Sequence, residues 1–562
     1  MKVALVQLDL TVGDFEGNRR RILDGAAQAR DRGARVAVFP ELAITGYPPL
    51  DLLERTRFVE AAHEAERAVV ESLPDGLVAV FGSVRRRPTP PVAGRALENI
   101  AVAAERGRVL TRVVKSLIPT YDVFDEARYF EPKRGDERAS IEVDGIRVAI
   151  TICEDLWNDD DLWENHDLWR DKAPGSYRLY AEDPIRRLVE RERPDVVLNI
   201  SASPWAWAKE GVRREILAHV AKKHRVWLAY VNHVGGNDGL LFDGHSTAYA
   251  PDGRHAGTAA GWKEDVHVVD LASDRRPEAP QRAEADEIRE ALTLGIRDYL
   301  DKTGIPLAVL GLSGGIDSAV TAYLAVRALG PERVVALAMP SRYSSAGSVD
   351  DASKLAANLG IRLWDVSIEP MFRAFLGALE PVFEGREEDV AEENIQSRIR
   401  GVLLMAAANK LGGVVLNTGN KSEAAMGYAT LYGDAIGALS VLGDLYKHQV
   451  YDQAELANRE GEIIPRSTIE KAPSAELRPG QKDEDSLPPY AQLDEMLRLF
   501  IEHRATVDEV VDAVGVDPAV ARRVNRAIYR AEFKRKQLPP TLRVSRKAWV
   551  GRVFPIVQRF DE

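Results

Sequence analysis

The sequence predicts an α/β protein of two large domains, and three observations carry that expectation. Short β-branched runs alternate with amphipathic stretches in both halves, the pattern of strands covered by helices. Near the middle, Ala272-Ser273-Asp274-Arg275-Arg276-Pro277-Glu278-Ala279-Pro280 is charged, proline-containing and aperiodic, which suits a linker. The 562 residues also exceed one hydrophobic core, since domains hold about 100–200 residues each. The expected organisation is a domain at 1–272, a linker at 273–286 and a domain at 287–562.

In the first half, runs at 3–8, 36–39, 78–82, 100–104, 109–115, 148–153, 196–200 and 226–231 read as strands. Residues 18–32 and 177–193 carry helical periodicity, so stacked sheets covered by helices are expected. Residues 155–170 hold Trp157, Trp163 and Trp169 among many acids; the tract lacks the glycine and closing glutamate of a calcium loop and reads as a capping or lid loop. In the second half, a helix at 284–302 precedes a strand at 306–310, a glycine-rich loop and a helix from Asp317. Strands at 334–339, 361–366 and 414–417 then alternate with helices, which predicts a doubly wound parallel sheet with ligands at its carboxyl edge.

Composition narrows the class. With 45% hydrophobic and 29% charged residues the chain is ordinary for a globular protein, and no apolar run is long enough for a spanning helix. Residues 1–9 read as a first strand and not as a signal peptide. One cysteine cannot form an intrachain disulfide, which fits a reducing cytoplasm. A formal charge of −12 argues against broad nucleic-acid binding, although a local basic patch could still hold phosphates.

The lone cysteine, Cys153, stands where the apolar run Ile150-Thr151-Ile152 gives way to Glu154-Asp155. Two other apolar runs end in chemistry: Phe39-Pro40-Glu41 in a carboxylate and Val113-Val114-Lys115 in an ammonium. A thiol, an acid and a cation at three strand ends describe a nucleophile, a general base and an oxyanion stabiliser. Pro40-Glu41-Leu42-Ala43-Ile44-Thr45-Gly46-Tyr47, Lys115-Ser116-Leu117-Ile118-Pro119 and Cys153-Glu154-Asp155 resemble the Glu-Lys-Cys amidases of the nitrilase superfamily, over roughly residues 1–270. The resemblance implies an α-β-β-α sandwich, attack by Cys153 on a glutamine carboxamide, Tyr121, Ser203 and Lys209 at the amino-acid end, and Glu126 as a second acid. Ser203 also suits a helix cap before Trp205, and Lys209 a solvated side chain.

Gly311-Leu312-Ser313-Gly314-Gly315-Ile316-Asp317-Ser318 follows a strand and opens a helix, an arrangement whose amides, hydroxyls and dipole suit an anion. It lacks the Gly-Lys-Ser/Thr ending of a Walker loop. Ser-Gly-Gly-Ile-Asp-Ser is similar to the pyrophosphate loop of the N-type ATP pyrophosphatases, which adenylate a carbonyl oxygen. Asn394-Ile395-Gln396-Ser397-Arg398, Asn417-Thr418-Gly419-Asn420-Lys421-Ser422-Glu423, Tyr432-Gly433-Asp434, Lys471-Ala472-Pro473-Ser474 and Phe533-Lys534-Arg535 then resemble the NAD synthetases, and the whole chain their glutamine-dependent members. One departure is Leu431, where short ammonia-using synthetases have lysine.

The resemblance implies ATP-dependent amidation of deamido-NAD through an adenylate, with ammonia passing uncharged between two sites. It puts residues 311–318, Thr418, Lys447 and Ser474 at ATP, and Asn394, Arg398, Glu423 and Lys534 at deamido-NAD. Asp317 and Glu423 suit Mg²⁺. A homo-oligomer, at least a dimer through the second domain, is also implied. Rival amidotransferases fit less well, because position 2 is Lys2 where an N-terminal-nucleophile glutaminase needs cysteine, and Glu41 and Lys115 stand where a Cys-His-Glu glutaminase needs histidine. A silent glutamine- and nucleotide-binding scaffold would not need the complete set of reactive side chains.

Overall fold

The computed structural model describes all residues except 88–92, 136, 166–178, 208, 276 and 561–562. The chain forms two compact units, Met1–Arg282 and Ala283–Glu562. No helix among the described residues is long and apolar enough to cross a membrane.

The first unit begins β1 (Lys2–Gln7), α1 (Phe15–Asp31), β2 (Val36–Val38), α2 (Thr56–Ser72), β3 (Val78–Arg86), β4 (Leu97–Glu105) and β5 (Arg108–Val114). It continues with β6 (Ser140–Val143), β7 (Ile146–Ile152), α3 (Asp160–Asn165), α4 (Pro184–Glu192), β8 (Val196–Ile200), α5 (Lys209–His224) and β9 (Trp227–Val231). Five short strands close it: β10 (Val234–Asn237), β11 (Leu240–Asp243), β12 (Thr247–Tyr249), β13 (His255–Thr258) and β14 (Asp265–Asp270).

Two six-stranded sheets result, ordered β14-β1-β2-β3-β4-β5 and β13-β12-β9-β8-β7-β6. Each has a parallel centre, β1 to β3 or β7 to β9, with antiparallel flanks. Alternation along β1 builds the layers. Val3 and Leu5 join Ile150 and Leu198 of the other sheet, while Ala4 and Val6 join Ile22 of α1 and Val59 of α2. α4 packs on β7 and α5 on β9, which completes the expected α-β-β-α sandwich.

The helix expected at 177–193 is shorter. It starts at Pro184, whose fixed φ suits a first helical position, after Asp183 accepts from the Arg186 amide. Tyr177 and Arg178 lie outside the described residues. Of the tract at 155–170, a 3₁₀ turn (Cys153–Leu156) and α3 are seen, and 166–170 lie outside the described residues.

The second unit opens with α6 (Glu284–Thr303), β15 (Ala308–Gly311), α7 (Ile316–Leu329), β16 (Val334–Ala338), α8 (Ala346–Leu359) and β17 (Arg362–Asp365). There follow α9 (Glu369–Phe383), α10 (Val390–Leu411), β18 (Val414–Asn417), α11 (Lys421–Met426), β19 (Leu439–Ser440), α12 (Lys447–Ala457) and α13 (Arg466–Glu470). The last helices are α14 (Tyr490–Arg498), α15 (Val507–Val514), α16 (Pro518–Arg530) and α17 (Glu532–Arg535). The sheet order is β17-β16-β15-β18-β19 with every pairing parallel. The order in which successive strands are added reverses between β15 and β18, the crevice where doubly wound sheets hold ligands.

Candidate active sites

In the first unit, the loops after β2, β5 and β7 bring Glu41, Lys115 and Cys153 together. Glu41 and Lys115 are fully buried, and Cys153 is 4% exposed. Glu41 is carried by a loop that β3 approaches closely: the Gly82 amide donates to Pro40 O at 3.0 Å, and a Cβ on Gly82 would lie 2.0 Å from the Leu42 nitrogen. Only glycine fits there. Lys115 Nζ donates to Glu41 Oε1 at 2.7 Å and to both Glu126 oxygens at 2.9 and 2.8 Å. Asn99 Nδ2 also donates to Glu41 Oε1, at 2.7 Å, and the Ala202 amide donates to Glu41 Oε2 at 3.0 Å. Tyr47 Oη donates to Glu126 Oε1 at 3.0 Å. Every oxygen of two buried carboxylates is thus partnered, as burial of charge requires.

Cys153 begins its 3₁₀ turn at φ +43°, a left-handed conformation that costs a non-glycine residue of order 1–3 kcal/mol. Asp155 holds the turn. It accepts from the Ile152 amide at 3.2 Å, Ser116 at 3.0 Å and Leu117 at 2.9 Å, tying the cysteine strand end to the lysine strand end.

The electrostatics follow from burial. Desolvation raises the Cys153 thiol, Glu41 raises it further, and Lys115 only partly offsets them. Burial lifts Glu126 to about 7 against the pull of Lys115, with Glu41 adding repulsion. Burial would lower Lys115, but Glu126 and Glu41 outweigh it and its pKa is raised. Burial also lifts Asp155 to about 6, despite its three backbone donors. The resting site therefore holds a neutral thiol beside a firmly charged ammonium.

The residues expected at the amino-acid end have partners of their own. Tyr121 Oη donates to Glu154 at 2.8 Å, and its ring meets Phe124 edge-on with centroids 5.5 Å apart. Lys209 is half-buried, with Nζ 5.8 Å from the Phe124 centroid, 5.6 Å from that of Trp157 and 3.0 Å from Pro204 O. Ser203 is buried, and its amide donates to Asn232 Oδ1 at 2.8 Å. It does not cap α5, which begins at Lys209.

In the second unit, the loop between β15 and α7 faces the loop after β18 across a cavity of about 460 Å³. Gly311, Leu312, Ser313, Gly315, Ile316, Asp317, Ser318, Thr418, Glu423, Lys447, Ser474, Asn394 and Lys534 all line it. Gly314 has φ +77°, and a Cβ there would sit 2.2 Å from Ser348 O. Ser318 Oγ donates to Gly315 O at 2.9 Å and accepts from the Ser313 amide at 3.3 Å, so the loop braces itself. The first-turn amides of α7 have no carbonyl ahead of them within the helix. Arg398 is exposed, stands off the lining, and donates to Leu431 O at 3.3 Å.

Asp317 does not cap α7. It accepts from Asn420 Nδ2 at 2.8 Å and pairs with Lys447, whose Nζ also lies 3.7 Å from Glu423. Glu423 closes a capping box with Asn420 at the start of α11. Burial and the charge of Asp317 raise Glu423 to about 8, with Lys447 pulling the other way. Asp483 is raised as well, by burial first and against Lys447. Three carboxylates around one ammonium leave surplus negative charge, and a hard divalent cation suits such oxygen donors.

Patterns in the sequence did not flag Asn99, Asp155, Tyr47 or Asp483. Their roles rest on partners distant in the chain, Asn99 on Glu41, Tyr47 on Glu126, Asp155 on the Ser116 and Leu117 amides and Asp483 on Tyr428; only the Cys-Glu-Asp triplet hinted at Asp155.

The carbon-nitrogen hydrolase family matches residues 2–165 and 186–281, and the NAD synthase family residues 288–538. The glutamine-dependent NAD(+) synthetase of Synechocystis sp. is 41% identical over 567 residues, 99% of each chain. That of Thermotoga maritima is 37% identical over 604 residues, covering 100% of this chain and 99% of its own. The glutamine-dependent NAD+ synthetase of Acinetobacter baumannii, solved with ADP, superposes with a TM-score of 0.75 at 34% identity, covering 99% of this chain and 98% of its own. With a hydrolase-type thiol site and a pyrophosphate-type loop in one chain, and relatives alike from end to end, the protein belongs to the glutamine-dependent NAD(+) synthetase family.

Proposed function

We propose that the chain converts deamido-NAD to NAD, taking nitrogen from glutamine and activation from ATP, and releasing glutamate, AMP and pyrophosphate. One observation carries the reading: a buried thiol beside Glu41 and Lys115 in one unit, and in the other a phosphate-type loop that carries Asp317 and faces Glu423.

Because its pKa is raised, Cys153 meets glutamine as a thiol. Glu41 takes the proton as sulfur bonds to the carboxamide carbon, and returns it to the departing ammonia. Lys115 balances the tetrahedral oxygen and water then cleaves the thioester. Tyr121, Ser203 and Lys209 receive the amino-acid end. Lys209 brings a positive charge against Phe124 and Trp157, which suits an α-carboxylate.

In the second unit a nicotinate carboxylate oxygen bonds to the α-phosphorus as the bond to pyrophosphate breaks. Ammonia then displaces AMP from the adenylate. Residues 311–318 cradle the pyrophosphate, Thr418, Lys447 and Ser474 hold ATP, and Asn394, Glu423 and Lys534 orient the dinucleotide. Mg²⁺ held by Asp317 and Glu423 would neutralise phosphate charge. A single reactive thiol suits the cytoplasm. A homo-oligomer is supported by Phe375, Val382, Val402 and Met405, exposed apolar side chains on α9 and α10.

The test is turnover with amide-¹⁵N glutamine, deamido-NAD, ATP and Mg²⁺. Label in the nicotinamide with one AMP and one pyrophosphate per NAD is expected. ADP and phosphate as products, or unlabelled product, would overturn the scheme.

A further inference from the structure

Two of the three residues assigned to the amino-acid end of glutamine, Ser203 in the loop after β8 and Lys209 at the start of α5, trace back to one buried carboxylate. It is Asp243, the last residue of β11 and fully buried. Arg213 stands one helical turn beyond Lys209 on α5, is 3% exposed, and donates to Asp243 Oδ1 from Nη1 at 3.1 Å and to Oδ2 from Nη2. His245 Nδ1 lies 2.9 Å from Asp243 Oδ2. Burial would raise the Asp243 carboxyl, but Arg213 and His245 outweigh it and hold it well below the usual carboxylate range.

The link to Ser203 runs through Asn232, which follows β9 and is also fully buried. Its Nδ2 donates to Asp243 Oδ1 and to Ser203 O, each at 3.1 Å, and its Oδ1 accepts from the Ser203 amide at 2.8 Å. Turning the side chain over would set its oxygen against two acceptors, so the carboxylate fixes which way Asn232 points. Both backbone polar groups of Ser203 are thereby taken by one side chain, while its hydroxyl has no partner among the described residues. Glu41 depends less on this segment, because Lys115 and Asn99 hold it besides the Ala202 amide. A buried ion pair is often no more stabilising than apolar residues of the same volume, so stability alone gives no reason for Arg213 and Asp243 here. What the pair supplies is direction: a forked guanidinium and a carboxylate meet in one geometry.

We infer that Asn232 and Asp243 are positioning residues for glutamine specificity: Asp243 sets α5 through Arg213 and Ser203 through Asn232, and so fixes the spacing of the groups that receive the amino-acid end. This rests on the proposed function, and the test separates the two. Cys153 is the only cysteine of the chain, so alkylation by iodoacetamide reports on the thiol site alone.

Two full-length variants are compared with the parent. Asn232→Asp keeps the acceptor for the Ser203 amide and loses both donors. Arg213→Met with Asp243→Leu removes the charge pair without leaving either charge buried alone, and decides the matter should the first variant not fold. In each, the KM for glutamine and the glutamate concentration that protects Cys153 from iodoacetamide should rise about tenfold or more, the cost of a small misplacement of positioning groups. The kcat for glutamine hydrolysis and the alkylation rate without glutamate should stay within about threefold, since only binding of the amino-acid end is lost. Equal protection by glutamate in parent and variants would overturn the inference while the function stands. Alkylation and glutamine affinity lost in equal measure would make the network a structural support only, and would overturn it as well. A parent that neither hydrolyses glutamine nor is protected by glutamate would overturn the function, and the inference with it.

Discussion

The thiol site of the first unit is closed and largely charge-matched, whereas the nucleotide site of the second is open and carries surplus charge. Around Cys153, each oxygen of Glu41 and Glu126 already has a donor, and Lys115 is fully buried between them. Around Asp317, one ammonium faces three carboxylates, and Glu423 is pushed up to about 8. The difference matches the substrates. A neutral carboxamide brings no charge, so its catalytic groups are best fixed beforehand. A nucleotide triphosphate with a metal brings several charges, so its site keeps groups that re-pair on arrival.

The comparison breaks most sharply at Cys153. Cys153→Ala should abolish glutamine-driven NAD formation yet leave synthesis from a high concentration of ammonium salt, measured on the same preparation. Loss of both in a folded variant would mean that the two sites do not work separately.

Asp317→Asn comes next in size. Asparagine keeps an acceptor for Asn420, and Lys447 keeps Glu423, so folding should be nearly normal. Ammonium-driven synthesis should fall by orders of magnitude, while glutamine hydrolysis persists uncoupled from NAD. Normal NAD formation at low Mg²⁺ would show that Asp317 is a structural partner of Lys447 alone.

Lys115→Met probes the cost of a pre-matched site. Loss of one oxyanion donor predicts about 2.7–4 kcal/mol in the glutaminase barrier. The structure adds a second effect, because methionine leaves Glu41 and Glu126 facing each other without a cation. Removing one partner of a buried ion pair costs about 3–5 kcal/mol of stability. Both losses should appear together, in glutamine hydrolysis and in chemical denaturation of the first unit. A hydrolysis rate within about threefold of the parent would remove Lys115 from the catalytic set.

The contrast also shows what a sequence makes legible. The strand ends carrying Glu41 and Cys153 were readable because parallel central strands are continuous apolar runs that stop abruptly at polar residues, and Lys115 because the antiparallel edge strand β5 closes on Val113-Val114 just before it. The glycine-rich loop of the second unit was readable because glycine is forced at Gly314 by its backbone contact with Ser348. β10 to β13 escaped notice because each has only three or four residues, and β10 and β13 also contain glycine, as in Val234-Gly235-Gly236-Asn237. α5 escaped because its polar residues leave little helical amphipathicity across Lys209–His224.

The finest test lies in the proton on Glu126. Folded, this buried carboxyl keeps its proton to about 7, whereas an unfolded glutamate releases it near 4.5. Between those values the folded chain binds more protons, so its stability from this group is full below about 4.5 and is lost as the pH rises through about 7. The slope cannot exceed one proton, about 1.4 kcal/mol per pH unit. Glu126→Gln should lower stability overall, since its amide nitrogen would face Lys115 Nζ, but should remove this part of the slope. Asp155, raised to about 6, would keep a separate contribution that ends at lower pH. Hydrogen exchange of the β5 and β7 amides across this window, corrected for intrinsic rates, measures both effects. Equal slopes in parent and variant would mean that Glu126 is ionised throughout, and that the thiol site, like the nucleotide site, holds unmatched negative charge.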